Sequence, residues 1–406
     1  MSNISDVGIR KECTGCGTCS AICPTGAIKY ELNNEGFYEA TVVKELCVNC
    51  GKCTKVCIKF LGDDTLGNIM ISGEMLSAQS TNTEAIESCT SGGIAYEISK
   101  YGIENGYKIV GVIYDYNNNL AKTVIRETIE DLEDLKGSKY LQSKADEGYK
   151  ELIERAKRNS KEKYIIFGTP CQILGITKAF KNEGLKNEII TVDLFCHGVP
   201  SYLIWNLYLK WLKDKKGIDK INKINFRSKH YGWHNFTMGI ESDGKDYYKP
   251  SEYDVFYKTF FDNILLNKSC HKCIVRKEIS AADIRLGDFW GKRYQDRQDG
   301  ISAVLINTTN GKELINKLVE KNKVKIIDKV EVNECLKSQA TEDYIVTKFY
   351  DYYNEVKNKK ELNEIIKFYR KDFPMKKRIK IKMKESTAYL PPFLRSNLRV
   401  IVNKLK

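Results

Sequence analysis

Past the first sixty residues, short β-branched apolar runs alternate with stretches whose apolar positions recur at helical spacing. Residues 94–101 show helical periodicity behind Ser91-Gly92-Gly93, and Ile109 to Tyr114 is a continuous run that predicts a buried strand. A charged helix over 146–158, a strand at 164–167, a helix after Gln172, a strand at 188–195 and a helix over 202–212 continue the alternation. Strands alternating with helices predict an α/β core built on a mainly parallel or mixed sheet. The section 221–279 is less regular and rich in aromatics, among them Trp233, Tyr247, Tyr248, Tyr253, Phe256 and Phe260, and predicts antiparallel additions or a lid. A strand at 304–306 and a helix near 313–320 return to the pattern before a long helix over 343–369. Gly62 to Thr83, rich in Gly, Ser, Asn and Thr, reads as a linker. The expected division is a domain at 1–61, a linker at 62–83, a larger α/β domain at 84–340, and a long helix with a basic tail at 341–406.

Eight cysteines add chemistry to this outline. They form two copies of one spacing, Cys13-x2-Cys16-x2-Cys19-x3-Cys23 and Cys47-x2-Cys50-x2-Cys53-x3-Cys57, which is that of a bacterial two-cluster ferredoxin. Three thiolates two residues apart wrap one face of an iron-sulfur cube, and the fourth lies far enough along the chain to cross to the other cube. One 4Fe-4S cluster is therefore expected on Cys13, Cys16, Cys19 and Cys57, and the second on Cys47, Cys50, Cys53 and Cys23. Zinc sites seldom carry the third cysteine and the x3 step, and a disulfide framework would call for an export signal, which is not read ahead of these residues. The first 61 residues are thus expected to be a small ferredoxin-like α+β domain, and the chain an electron carrier.

With 406 residues and 42% hydrophobic content, about 340 residues remain for a large core. No apolar stretch approaches the roughly 18 residues needed to span a bilayer. Fourteen cysteines point to a reducing cytoplasm. The formal charge of +13 is uneven, because residues 371–406 carry eleven basic residues against two acidic ones, a net of +9. That tail suits either a peripheral membrane contact or plain solvation. No motif supports nucleic-acid binding.

Four further cysteines sit where an α/β fold concentrates chemistry. Cys171 follows a strand and opens a helix, Cys196 lies between a strand and a helix, and Cys270 with Cys273 forms a C-x2-C pair. Strand ends share one edge of a parallel sheet, so these residues can meet in a third 4Fe-4S cluster. A redox thiol at Cys171, and zinc or plain packing at Cys270 and Cys273, are the alternatives. Cys89 and Cys335 lack a partner pattern and read as core residues. Cubes move single electrons, so an organic two-electron substrate calls for a converter, usually a flavin. No Gly-x-Gly-x-x-Gly follows a strand, yet Ser91-Gly92-Gly93 and Thr169-Pro170-Cys171-Gln172 offer helix-start amides of the kind that hold phosphate.

Five ordered motifs carry a resemblance. Gly137-Ser138-Lys139-Tyr140-Leu141-Gln142-Ser143, Thr169-Pro170-Cys171-Gln172, Cys196-His197-Gly198-Val199-Pro200-Ser201, the Cys270-x2-Cys273 pair and Ala282 to Gly291 resemble the beta subunit of coenzyme F420 hydrogenases and dehydrogenases over roughly residues 85–340. The resemblance implies an FAD-binding α/β domain that passes electrons between iron-sulfur clusters and a two-electron carrier or substrate. It implies that Ser91, Gly92, Gly93, Ser138, Lys139, Tyr140, Gln142, Ser143, Thr169, Pro170 and Gln172 line the FAD. It also implies that Cys171, Cys196, Cys270 and Cys273 hold the neighbouring cluster. His197 and Asp288 are the catalytic candidates, with Arg227, Lys229 and Lys292 as further contacts to flavin or substrate. The expected partners are a ferredoxin or other redox protein and a small-molecule carrier. An electron-transfer subunit with no substrate of its own and a thiol-disulfide reductase using Cys171 are the competing functions.

Overall fold

The structure, a computed structural model, describes residues 3–5, 12–60, 73–276, 280–339, 342–344, 346, 348–358, 361–390 and 394. The two cysteine repeats fold alike. In each, a glycine in the left-handed region, Gly17 at φ 78° and Gly51 at φ 72°, turns the chain into a short helix, Thr18–Ala21 or Lys52–Val56. Only a residue without a Cβ adopts that turn at no steric cost. Between the repeats, β1 (Ile28–Leu32) and β2 (Tyr38–Val42) pair antiparallel, with Tyr30 stacked on Tyr38 at 5.3 Å.

The larger part is built on an eight-stranded mixed sheet. Its strands are β3 (Glu74–Ser80), β4 (Tyr107–Asp115), β5 (Leu120–Arg126), β6 (Lys163–Phe167), β7 (Ile189–Leu194), β11 (Ile284–Asp288), β12 (Ser302–Ile306) and β13 (Val324–Val330), in the order β13-β3-β12-β11-β7-β6-β4-β5. The centre, β11-β7-β6-β4, is parallel, and both flanks are antiparallel. Ile109, Val110, Ile165, Ile166 and Val192 are fully buried there, as a sheet covered on both faces requires. The helices Ile94–Glu104, Asp146–Arg158, Pro170–Asn182 and Thr309–Glu320 supply that cover. The irregular section forms a separate antiparallel sheet of β8 (Lys223–Ser228), β9 (Thr237–Glu241) and β10 (Tyr247–Pro250), as expected, and packs through Phe226, Phe256 and Trp205.

Two expectations are corrected. Part of the linker expected at 62–83 is β3, an interior strand between β12 and β13; residues 61–72 lie outside the described ones. Its polar residues concealed it, because each finds a partner inside: Ser77 pairs with the Tyr294 hydroxyl at 2.6 Å, and Gln79 donates to Asp299 at 2.7 Å. The long helix expected over 343–369 is two helices, Phe349–Asn358 and Leu362–Arg370. The chain reverses between them, so that Tyr352 meets Tyr369 edge-on at 4.8 Å and the apolar faces close on each other. The basic stretch over 376–384 lies on a helix, Met375–Thr387, with no buried residue. Most of the tail after residue 390 falls outside the described residues. Among those described, no helix is long and apolar enough to cross a membrane.

The N-terminal unit is fastened to the α/β core by specific hydrogen bonds. Gln142, 3% exposed, accepts from the Tyr38 amide at 2.6 Å and donates to the Tyr38 and Thr14 carbonyls at 3.3 and 3.4 Å. Ser201 donates to the Glu35 carbonyl at 2.6 Å, and Lys52 pairs with Glu183 at 2.7 Å. A Cβ on Gly15 would stand 1.9 Å from Gln142 Nε2, so glycine is required for this approach. Gln142→Ala strands the buried Tyr38 amide. It is expected to cost about 1–3 kcal/mol, seen as a lower denaturation midpoint with the N-terminal unit proteolysed first; an unchanged midpoint and cleavage pattern would refute the clamp.

Candidate iron-sulfur and redox site

None of the eight N-terminal cysteines is joined in a disulfide. Cys23, Cys47, Cys50 and Cys53 line one recess, together with Asn3 and Val48. This is the crossed set expected from the spacing: three ligands from the second repeat and the fourth from the first. Polar groups point at the sulfurs. The Gly15 amide donates to Cys13 Sγ at 3.4 Å and Asn3 Nδ2 to Cys47 Sγ at 3.5 Å, as thiolates holding an anionic cluster require. Among the described residues no group of three or more His, Cys, Asp or Glu is drawn tightly enough for a lone metal ion.

The carboxyl ends of β3, β6, β7 and β11 share one edge of the sheet, and the second cysteine set gathers there. Cys171 opens the helix Pro170–Asn182, whose start is closed by a capping box between Thr169 and Gln172. Cys196 follows β7, Cys270 ends the 3-10 helix Lys268–Cys270, and Cys273 lies just after it. Gly198, at φ 136°, brings the backbone so close that a Cβ there would stand 3.6 Å from Cys270 Sγ. Burial pushes the Cys196 thiol up to about 11 and the Cys270 thiol up to about 12, with Cys273 acting on both. Cys171 is pushed up by burial and by Cys16, Cys196 and Cys273. Arg276 is 4% exposed and donates to the His197 carbonyl at 3.0 Å, while its Nε is buried with no partner. A guanidinium donor left over beside Cys196 and Cys270 fits an anionic cluster.

Cys16 connects this set to the N-terminal one. Gly175 lies one helical turn beyond Cys171, and a Cβ on it would stand 3.5 Å from Cys16 Sγ. Ile58, next to Cys57, packs with Leu174 and Val275 against Cys171 and Cys273. The first cysteine set and the third therefore meet across a single helix face.

Beside this edge lies a polar and aromatic wall. The Ser138 amide donates to Thr90 Oγ1 at 3.1 Å, which joins the 137–143 loop to the loop before Ile94. Arg227 Nη1 donates to Asp288 Oδ2 at 2.8 Å and to the Tyr140 hydroxyl at 3.3 Å, and Trp233 Nε1 donates to Asp288 Oδ1 at 2.6 Å. Trp290 stacks on Trp233 at 5.0 Å and on Phe236 at 5.4 Å, and Arg227 covers Phe236 at 3.7 Å. Lys229 donates to the Ile86, Ser91 and Asp299 carbonyls, and burial pushes its amine down to about 8. Stacked rings, one guanidinium and converging loop backbone are the materials that hold a planar, phosphate-bearing cofactor.

The expected site residues divide on this geometry. Thr169, Ser138, Tyr140 and the Ser91–Gly93 loop lie at the carboxyl edge. Gln142 instead clamps the N-terminal unit, while Gln172 donates to Ser143 at 2.7 Å and both are buried. Pro170 is buried as the first residue of its helix. Gly92 is committed to the sheet, because its amide donates to Ser302 Oγ at 3.0 Å and a Cβ would meet the Ala78 carbonyl at 2.7 Å. Lys139 folds back onto the Asp134 and Lys136 carbonyls, both at 2.9 Å. His197 is held by Asn263 at 2.8 Å and Tyr344 at 2.9 Å, and both carboxylate oxygens of Asp288 are taken by Arg227 and Trp233. The two catalytic candidates thus brace the wall and the cysteine loop. Lys292 is exposed. Cys335 is a fully buried core residue, as expected. Phe236 and Asn3 went unmarked in the sequence, since a stacked ring and a sulfur-facing amide leave no spacing signal.

Two family models match. Residues 161–332 match the C terminus of the coenzyme F420 hydrogenase/dehydrogenase beta subunit, and residues 12–59 match the 4Fe-4S dicluster domain. The coenzyme F420-dependent sulfite reductase of Methanocaldococcus jannaschii is 26% identical over 377 residues, 91% of this chain and 53% of its own length. The chain thus spans about half the length of that relative. The F(420)H(2) dehydrogenase subunit named F, from Methanosarcina mazei, is 23% identical over 344 residues, 78% of this chain and 91% of its own length. A chain of the F420-reducing [NiFe] hydrogenase complex from Methanosarcina barkeri superimposes with a TM-score of 0.45 at 20% identity, covering 74% of this chain and 91% of that one. The chain thus carries a region, residues 161–332, that matches the C terminus of coenzyme F420 hydrogenase/dehydrogenase beta subunits, and ahead of it, at residues 12–59, a match to the 4Fe-4S dicluster domain.

Proposed function

We propose that the chain is an iron-sulfur flavoprotein that moves electrons between a one-electron protein partner and a two-electron carrier or small-molecule substrate. The observation that carries this reading is the packing of Cys16 against Gly175, one helical turn beyond Cys171, which joins the N-terminal cysteines to the set at the sheet edge. Cys13, Cys16, Cys19 and Cys57 would hold the inner N-terminal cluster, and Cys23, Cys47, Cys50 and Cys53 the outer one. Cys171, Cys196, Cys270 and Cys273 would hold the third. The loops at Thr90–Gly93 and Ser138–Tyr140, with Arg227, Phe236 and Trp290, would hold FAD, which supplies the exchange between one- and two-electron chemistry. The names of both curated relatives carry coenzyme F420, so a deazaflavin of that kind is the first carrier to offer. Cys171 packs against Leu174, Ile58 and Val275 and is not an open thiol, which disfavours the thiol-reductase alternative. Anaerobically purified protein is expected to contain about twelve irons, four per cube, and about one flavin per chain. Absence of flavin would overturn the proposal.

The outer recess suggests the electron port. Cys50 is exposed, Val48 and Leu46 of the same loop are 63% and 51% exposed, Lys52 lines the recess, and Lys44 and Lys55 are exposed. An apolar patch with basic neighbours suits an acidic one-electron protein such as a ferredoxin. Val48→Asp is expected to raise KM for reduced ferredoxin roughly tenfold at low salt while iron and flavin stay unchanged. An unaltered KM would place the port elsewhere.

A further inference from the structure

Two hydroxyls beside Cys16 are buried and lack partners: Thr18 Oγ1 and Tyr149 OH, both on residues with no exposed surface. Thr18 Oγ1 stands 2.5 Å, and Cys16 Sγ 3.5 Å, from the point where Gly175 would carry a Cβ. Hydroxyl and thiol therefore share the helix face that bears Cys171. Tyr149 reaches the same junction from the helix Asp146–Arg158, which packs on Thr18–Ala21, and the thiols that act on its hydroxyl are Cys16 and Cys171. Folded proteins rarely leave buried hydroxyls unsatisfied, and when they do a missing ion or group commonly explains it. Both hydroxyls lie beside thiols of this junction, yet among the described residues no protein atom, sulfur included, is within hydrogen-bond reach of either.

We propose that Tyr149 and Thr18 donate their hydroxyl hydrogens to sulfurs of the cluster held by Cys16, and so set the potential of the station that faces Cys171. The inference rests on the reading that Cys16 holds a 4Fe-4S cluster. A hydrogen bond to sulfur stabilises the reduced cluster more than the oxidised one, because the reduced cluster carries one more negative charge. Each bond therefore raises the midpoint potential. The same need explains Gly175: a side chain there would push Thr18 and Cys16 away from the helix. Tyr149 and Thr18 would contact the cluster without ligating it.

The test is an anaerobic potentiometric titration, followed by electron paramagnetic resonance, of Tyr149→Phe and of Thr18→Val in the full chain, with iron measured on the same samples. Both substitutions keep the shape of the side chain. Iron is expected to stay at the wild-type value while one midpoint falls, corresponding to about a tenfold drop in the reduction equilibrium, or about 59 mV for a one-electron couple. If Tyr149→Phe loses iron, Thr18→Val decides. Unchanged midpoints in iron-replete protein overturn the proposal. About eight irons with a shifted midpoint would uphold this role and remove the third cluster. About twelve irons with no shift would do the reverse.

Discussion

Cys171→Ala is expected to yield a folded protein with about eight irons per chain in place of about twelve, the four lost belonging to a single cube. The reason lies in where the thiol sits. Cys171 opens the helix Pro170–Asn182 one turn before the glycine against which Cys16 packs, and it shares an apolar cluster with Cys273. Alanine at this first-turn position keeps the capping box of Thr169 and Gln172, so the helix start survives. The N-terminal repeats keep all eight of their own cysteines, and their iron should stay. Cys89→Ala is the control, since Cys89 is half-buried and outside both cysteine sets. Iron analysis of the two variants beside wild type checks the prediction. Equal iron in Cys171→Ala and wild type would mean that the cysteines at the sheet edge hold no cluster.

Arg285→Ala is expected to cost about 3–5 kcal/mol of stability, enough to unfold a marginal chain. Arg285 on β11 and Asp193 on β7 form a bidentate pair with both bonds at 2.7 Å, and both residues are 0% exposed. The pair spans two parallel central strands directly beneath Cys196, and Ser280 adds a bond to Asp193 at 3.2 Å. Removing the guanidinium leaves a buried carboxylate whose desolvation is no longer offset. Replacing both partners with apolar residues, as in Asp193→Leu with Arg285→Met, is expected to recover most of the loss. Urea unfolding midpoints measure both effects. A midpoint unchanged in the single variant would show that the pair contributes little.

Part of this architecture is readable from residue order. Cysteine spacing works because a cube demands thiolates at fixed separations, so the repeats at 13–23 and 47–57 and their crossover stand out without a fold. The positions of Cys171 and Cys196 after apolar runs were equally legible, because a parallel sheet gathers the ends of its strands on one edge. What failed was whatever depends on long-range partners. β3 carries Ser77, Gln79 and Ser80 in a buried strand, and partners outside it, Tyr294 and Asp328 for Ser77, Asp299 for Gln79 and Glu97 for Ser80, make those polar groups acceptable. Gln142 belongs to a cofactor-like motif, yet Tyr38, 104 residues earlier, claims its amide. Asp288 and His197 carry catalytic residue types in motif positions, and both are consumed by neighbours that no spacing rule reveals. The reversal between the two late helices rests on Tyr352 meeting Tyr369, a contact that uninterrupted periodicity conceals.

The central claim is that one chain carries electrons from its N-terminal cysteines, through the set at the sheet edge, to a flavin. Rapid anaerobic mixing with reduced ferredoxin, following cluster and flavin absorbance separately, tests it most directly in wild type and Cys171→Ala. The account predicts that wild type loses cluster colour first and flavin colour after it, whereas the variant loses cluster colour alone and keeps its flavin oxidised. Flavin reduced at the same rate in both proteins would contradict it.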